Sequence, residues 1–147
     1  MQRAVLATVL AADVIAAIRV RADSGYVRRW HRYPETFGDI LETTAVFKAL
    51  GIEPTYFDIT EIRAAEIIID LNEPIPGTLC GQFSLAIDTG TLEHCFNVGV
   101  AFKSMCSMVK KDGVVITAAP MTMMNHGFWS FSPTTYHDFF TQNGFKI

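Results

Sequence analysis

Three shortages narrow this chain before any motif is read. Its 147 residues hold only three cysteines, Cys80, Cys95 and Cys106, an odd number with no C-x-x-C spacing. That argues against a disulfide framework and against a zinc site; buried free thiols in a reducing cytoplasm account for them. Glycine occurs ten times but never as G-x-G-x-x-G, the fingerprint a nicotinamide-dependent oxidoreductase requires. Long apolar runs are missing too. The run over residues 4–12 is followed by Asp13 and Arg19, so it falls short of the ~20 residues of a membrane span. It follows Met1-Gln2-Arg3 and has the outline of a signal peptide, yet an alanine-rich helix over residues 4–20 is the better reading. No internal repeat and no low-complexity segment occurs.

What is present is core material. Half of the residues are hydrophobic and 18% are charged, a balance suited to one folded domain rather than a disordered tail. Net charge is −3, which gives no general reason to expect nucleic-acid binding. The charge is uneven. Residues 1–32 carry six arginines against Asp13 and Asp23, a local +4 that leaves the remainder at −7. A solvated helix face explains such a basic arm, and a partner surface is the alternative. The sequence therefore divides into a basic N-terminal helix and linker over residues 1–32 and an α/β domain over residues 33–147.

After a loop-like stretch over residues 22–38, Asp39 and Glu42 have the form of a capping box. Ile40, Leu41, Thr44, Phe47 and Leu50 follow at helical spacing, with Gly51 as a C-terminal cap. Three short apolar runs then each end on a carboxylate: Asp58, Asp70 and Asp88. Asn97 starts a helix expected to reach Lys110, where Lys110 and Lys111 would favour the negative end of its dipole before Gly113 ends it. Val114 opens a further strand, stopped at Pro120. Ser132-Pro133 is a helix start, Asn143-Gly144 its close, and Phe145 begins another expected strand. Apolar strands alternating with helices predict an open parallel sheet covered on both faces.

In such a sheet, ligands bind outside the carboxyl ends of the strands, where carboxylates accept hydrogen bonds from ribose hydroxyls or an adenine amine. Aspartate also follows strands simply because it suits turns. Three in successive strands favour a nucleotide-like ligand.

The segment Asp88-Thr-Gly-Thr-Leu-Glu-His-Cys-Phe-Asn97, followed by a helix, K-K-D-G, a strand and a proline, resembles class I AdoMet-dependent methyltransferases with a Leu-Glu-His signature. N-H-G-F-W-S-F-S-P, an aromatic helix and N-G-F are similar to a bacterial subgroup of sugar and polysaccharide biosynthesis. The resemblance spans roughly residues 38–147. It implies a Rossmann-like fold and S-adenosyl-L-methionine as cofactor. Asp58 would hold the ribose, Asp70 and Leu71 would meet the adenine, and Asp88, Thr89 and Gly90 would border the methionine. Asn125, His126 and Trp129 would line the substrate side. Two features depart from the family: residues 26–39 offer only Gly38 where a glycine-rich loop is expected, and the sheet is expected to be incomplete after Gly144.

Methyl transfer to oxygen or nitrogen is a direct displacement that needs alignment, a dry pocket and sometimes a base. His126, in a loop after a strand, is the first candidate for that base and His94 the second. Each has a structural alternative as a hydrogen-bonded histidine; His31 and His137 read as surface residues. Phe128, Trp129 and Phe131 could frame a flat substrate or close the core. No metal ligands are assigned. The expectation is a cytoplasmic methyltransferase for a small or glycan-linked acceptor, with no nucleic-acid partner, no membrane span and some self-association. The competing expectation is a non-catalytic methyltransferase-like binding module.

Overall fold

The computed structural model describes residues 43–61 and 66–147. The expected helix over residues 4–20, the capping box at Asp39 and the glycine-poor stretch over residues 26–39 lie outside them. The chain divides into two compact units, residues 1–56 and 57–147.

In the first unit, α1 (Thr43–Ala49) ends as the sequence predicts. Gly51 adopts φ +74°, its N–H donates to Lys48 O at 3.0 Å, and Ile52 N–H donates to Phe47 O at 2.9 Å. This pair of bonds is a Schellman cap, whose left-handed position favours a residue with no Cβ. A short strand, β1 (Tyr56–Asp58), begins at the last residue of that unit and, within the second unit, pairs with β2 (Glu66–Ile68).

The second unit is built around β3 (Phe83–Thr89), α2 (Val98–Met108) and β4 (Val109–Ala118), with α3 (Pro133–Gln142) closing it. β3 and β4 pair in parallel, as short apolar strands joined by a helix should. Among the described residues there are thus two two-stranded sheets, not one continuous open sheet. The architecture is mixed α/β.

On α2, Ala101, Phe102, Met105 and Met108 are buried, the i, i+1, i+4, i+7 stripe of a helix lying on a core. Phe102 is the hub: its ring meets those of Phe131, Tyr136, Phe139 and Phe140 at centroid distances of 4.8–6.3 Å. Alternation along the strands turns Ala86 and Val115 toward this cluster, whereas Ile87, Val114 and Ile116 remain 44–53% exposed on the other face.

Two expected boundaries are corrected. α2 stops at Met108, so Lys110 and Lys111 lie in β4 rather than at the helix end. Gly81 N–H takes the carbonyl of Ser107 at 2.8 Å, which satisfies one orphan acceptor of that terminus. The register then jumps from Phe83↔Val109 to Leu85↔Val114, so K-K-D-G loops out of the ladder with Asp112 at φ +63°. Phe145 begins no strand. It folds back as the end of a second Schellman cap, with Gly144 at φ +82°, Phe145 N–H on Phe140 O at 2.9 Å, and the two rings 5.4 Å apart. The start of α3 is as predicted: Ser132 accepts from Thr135 N–H and Pro133 occupies the first turn. Asn97 does precede α2, but its side chain donates instead to Asn72 O at 3.2 Å.

Candidate functional site

Beyond the carboxyl end of β3 the chain must turn at once, and the sequence supplies the means. Asp88 is buried, with Oδ1 accepting from Thr91 N–H at 2.9 Å and Oδ2 accepting from the Thr117 hydroxyl at 2.9 Å. Burial raises its pKa above the ordinary 3.8; the bonds from Thr117 and Thr91 oppose that, and the nearby charge of Glu93 adds to it. Gly90 takes φ +106°, and the single 3₁₀ turn Leu92–His94 follows. This turn points Leu92 and Glu93 inward, 1% and 0% exposed, and leaves His94 half exposed.

A second segment, residues 121–130, folds onto that turn after β4. The carbonyl of Glu93 accepts from both Phe128 N–H at 2.7 Å and Trp129 N–H at 3.2 Å. The Trp129 indole N–H donates to Cys95 O at 2.9 Å. Gly127 makes the approach possible: with φ +68°, a Cβ there would stand 2.6 Å from Glu93 O and 2.9 Å from Glu93 Cγ. The neighbouring Asn125 adopts φ +56°, a region asparagine visits more readily than most residues.

The product of this docking is a cluster of three ionisable groups. His126 Nε2 lies 3.2 Å from Glu93 Oε1, and His94 Nε2 lies 3.9 Å from the same oxygen. The two imidazole centroids are 4.8 Å apart. The other oxygen, Glu93 Oε2, is buried with no hydrogen-bond partner. A groove of about 370 Å³ opens beside the cluster, lined by residues 122–130 and including His126, Asn125 and Trp129. Phe128, which lines it, meets Phe96 edge-to-face, the two 67% and 72% exposed. Chemically the arrangement can orient an imidazole, hold a proton between nitrogen and carboxylate, or coordinate a cation.

Six of the sequence-predicted residues therefore converge: His94, His126, Asn125, Trp129, Asp88 and Gly90. Thr89 is exposed at the end of β3, and Leu71 packs against the core cluster. The carboxylates of Asp58 and Asp70 hold their own turns: each Oδ1 accepts from a backbone N–H two residues on, Thr60 at 3.0 Å and Asn72 at 2.8 Å. Asn72 in turn accepts from Asn97 N–H at 2.9 Å, tying the Asp70 turn to the start of α2. Glu93, central to the cluster, is the residue that sequence reasoning placed only within a signature. Its partner lies 33 residues away, beyond the reach of any local signal.

Burial raises the thiol pKa of Cys95, and the negative charges of Asp88, Asp70 and Glu93 add to the effect; burial alone pushes Cys106 to about 11. Cys80 is exposed, which departs from the expectation that all three thiols are buried. Among the described residues no helix is long and apolar enough to cross a membrane. No family model, no curated protein and no solved structure matches the chain.

Proposed function

We propose that this chain is an AdoMet-dependent methyltransferase that acts by direct displacement on an oxygen or nitrogen of a small or glycan-linked acceptor. One observation carries the reading. A wholly buried carboxylate, Glu93, meets the ring of His126 at 3.2 Å beyond the carboxyl end of a parallel strand, the place where such folds bind ligands. Glu93 fixes which imidazole nitrogen carries the proton, and His126 takes the acceptor's proton as the new bond forms. Trp129 and Asn125, in the adjoining groove, would hold the acceptor.

The bound cofactor would supply the methyl group on a sulfonium. The described residues fit it in part. Gly90 has no side chain at the end of β3, and its φ of +106° favours that state. The Oδ2 atoms of Asp58 and Asp70 stand outside the bonds that form their turns, so each can still accept from a ribose hydroxyl or an adenine amine. A cytoplasmic setting goes with this reading, since the chain's cysteines are free.

A second reading, a methyltransferase-like domain that binds without catalysing, is favoured by a different observation. Both oxygens of Asp88 are engaged inside the protein, by Thr91 and Thr117. Calorimetric titration with AdoMet and with its demethylated product separates the two. Heat of binding for both ligands is the outcome expected of the enzyme. Absence of heat, together with no thermal shift at millimolar ligand, would rule the enzyme reading out.

A further inference from the structure

We propose that Glu93, His94 and His126 form a binding site for a divalent transition-metal ion of the zinc and cobalt class. The proposal does not rest on methyl transfer, because it follows from the three side chains alone. One ligand atom from each lies within 4.8 Å of the others. An ion bound at 2.0–2.2 Å, the usual range for imidazole nitrogen and carboxylate oxygen, needs its ligands about 3.5 Å apart. Closing from 4.8 Å takes only small rotations of two imidazoles that retain side-chain exposures of 49% and 34%.

The independent indication is Glu93 itself. Its side chain is fully buried, Oε1 faces both imidazoles, and Oε2 has no hydrogen-bond partner. A buried carboxylate is costly unless paired with positive charge or coordinated to a metal. Here no lysine or arginine pairs with it among the described residues; the ion pairs of Glu93 are with His94 and His126. A divalent ion would supply the missing charge. Backbone hydrogen bonds from Phe128 and Trp129 hold the Glu93 carbonyl, and Gly127 leaves room for Glu93 Cγ, so the main chain that carries the carboxylate is anchored, as precise metal sites require.

The ligand set selects the ion. Two imidazoles and one carboxylate suit zinc, cobalt, nickel or iron, whereas magnesium and calcium prefer all-oxygen shells. Three protein ligands leave coordination positions open toward the groove that His126 lines. A hydroxyl or carboxylate oxygen of a small ligand would complete the shell. Bound there, the ion occupies the Nε2 atoms of both histidines, so metal loading and a base role for His126 exclude each other.

The test titrates the full chain carrying Cys80→Ser, which removes the exposed thiol as a competing ligand, with Co²⁺ followed visibly and with Zn²⁺ as displacer. One equivalent of Co²⁺ should give a visible band that Zn²⁺ abolishes and a large excess of Mg²⁺ does not. His94→Gln and His126→Gln should each weaken binding by at least the roughly tenfold to hundredfold known for outer-sphere partners, with unchanged circular dichroism. His137→Gln, at the exposed His137–Asp138 pair, should leave binding unaltered. Because His94 is half exposed, His94→Gln decides the matter even if Glu93 or His126 variants fail to fold. No band at millimolar Co²⁺, a band that persists in both histidine variants, or equal displacement by Mg²⁺ would each overturn the site.

Discussion

At the scale of single residues, the cluster depends on positions where a side chain is either absent or unusually buried. Gly127 combines φ +68° with a phantom Cβ 2.6 Å from the Glu93 carbonyl oxygen. Gly127→Ala would face both left-handed strain and a backbone clash, so it should destabilise the protein by about 1–3 kcal/mol. Urea denaturation measures this, and an unchanged midpoint would mean the loop does not rest on Glu93. Asp88 supplies a pH prediction. Burial is the largest influence on its carboxyl and raises its folded pKa above 3.8. The folded state then holds the proton more tightly than the unfolded one between the two values. The resulting stability is fully present below 3.8 and is lost as pH climbs through the folded value. Asp88→Asn cannot ionise, and its amide can turn Nδ2 toward the Thr117 hydroxyl. The stability of Asp88→Asn minus that of the parent should therefore become more favourable from acid to neutral pH. Thermal melts over that range check the sign; a constant or falling difference would contradict it.

At the scale of elements, what was legible in the sequence was what is decided locally. Ser132-Pro133, Asn143-Gly144 and Gly51 mark helix ends through capping chemistry confined to a few neighbouring residues, and each does so in the structure. The junction of α2 and β4 was misread because nothing local separates the alternatives there. Val109, Lys110 and Lys111 are tolerated by a helix end and by a strand alike; Val109 pairs with Phe83, and the two lysines follow it as the bulged part of β4. Phe145 was misread for a related reason: an aromatic after Asn-Gly suits a strand, yet contact with Phe140 draws it back onto α3. The site was half legible. Loop position and residue type were enough to nominate His126, Asn125 and Trp129. Glu93 was not nominated, because its burial depends on a loop that returns to cover the turn only after the whole of α2 and β4.

At the scale of the whole molecule, the second unit covers its sheet unevenly. Core packing from α2 and α3 lies on the side of Ala86 and Val115, while Ile87, Val114 and Ile116 stand 44%, 53% and 49% exposed opposite. β3 and β4 pair only with each other among the described residues. An exposed apolar face of this kind favours association with another chain. The sequence predicts self-association and a sheet incomplete after Gly144; with no strand over residues 145–147, the reason for association is the exposed face of β3 and β4. The chain is expected to associate as its concentration rises, which sedimentation velocity would detect as an increasing weight-average coefficient. Ile116→Lys places a charge in the middle of that face, at a side chain already half exposed. It should therefore suppress association while changing unfolding stability by no more than about 0.5 kcal/mol. A single monomeric boundary at every concentration for the parent chain would refute the argument. Association that persists unchanged in Ile116→Lys would move it to a different surface.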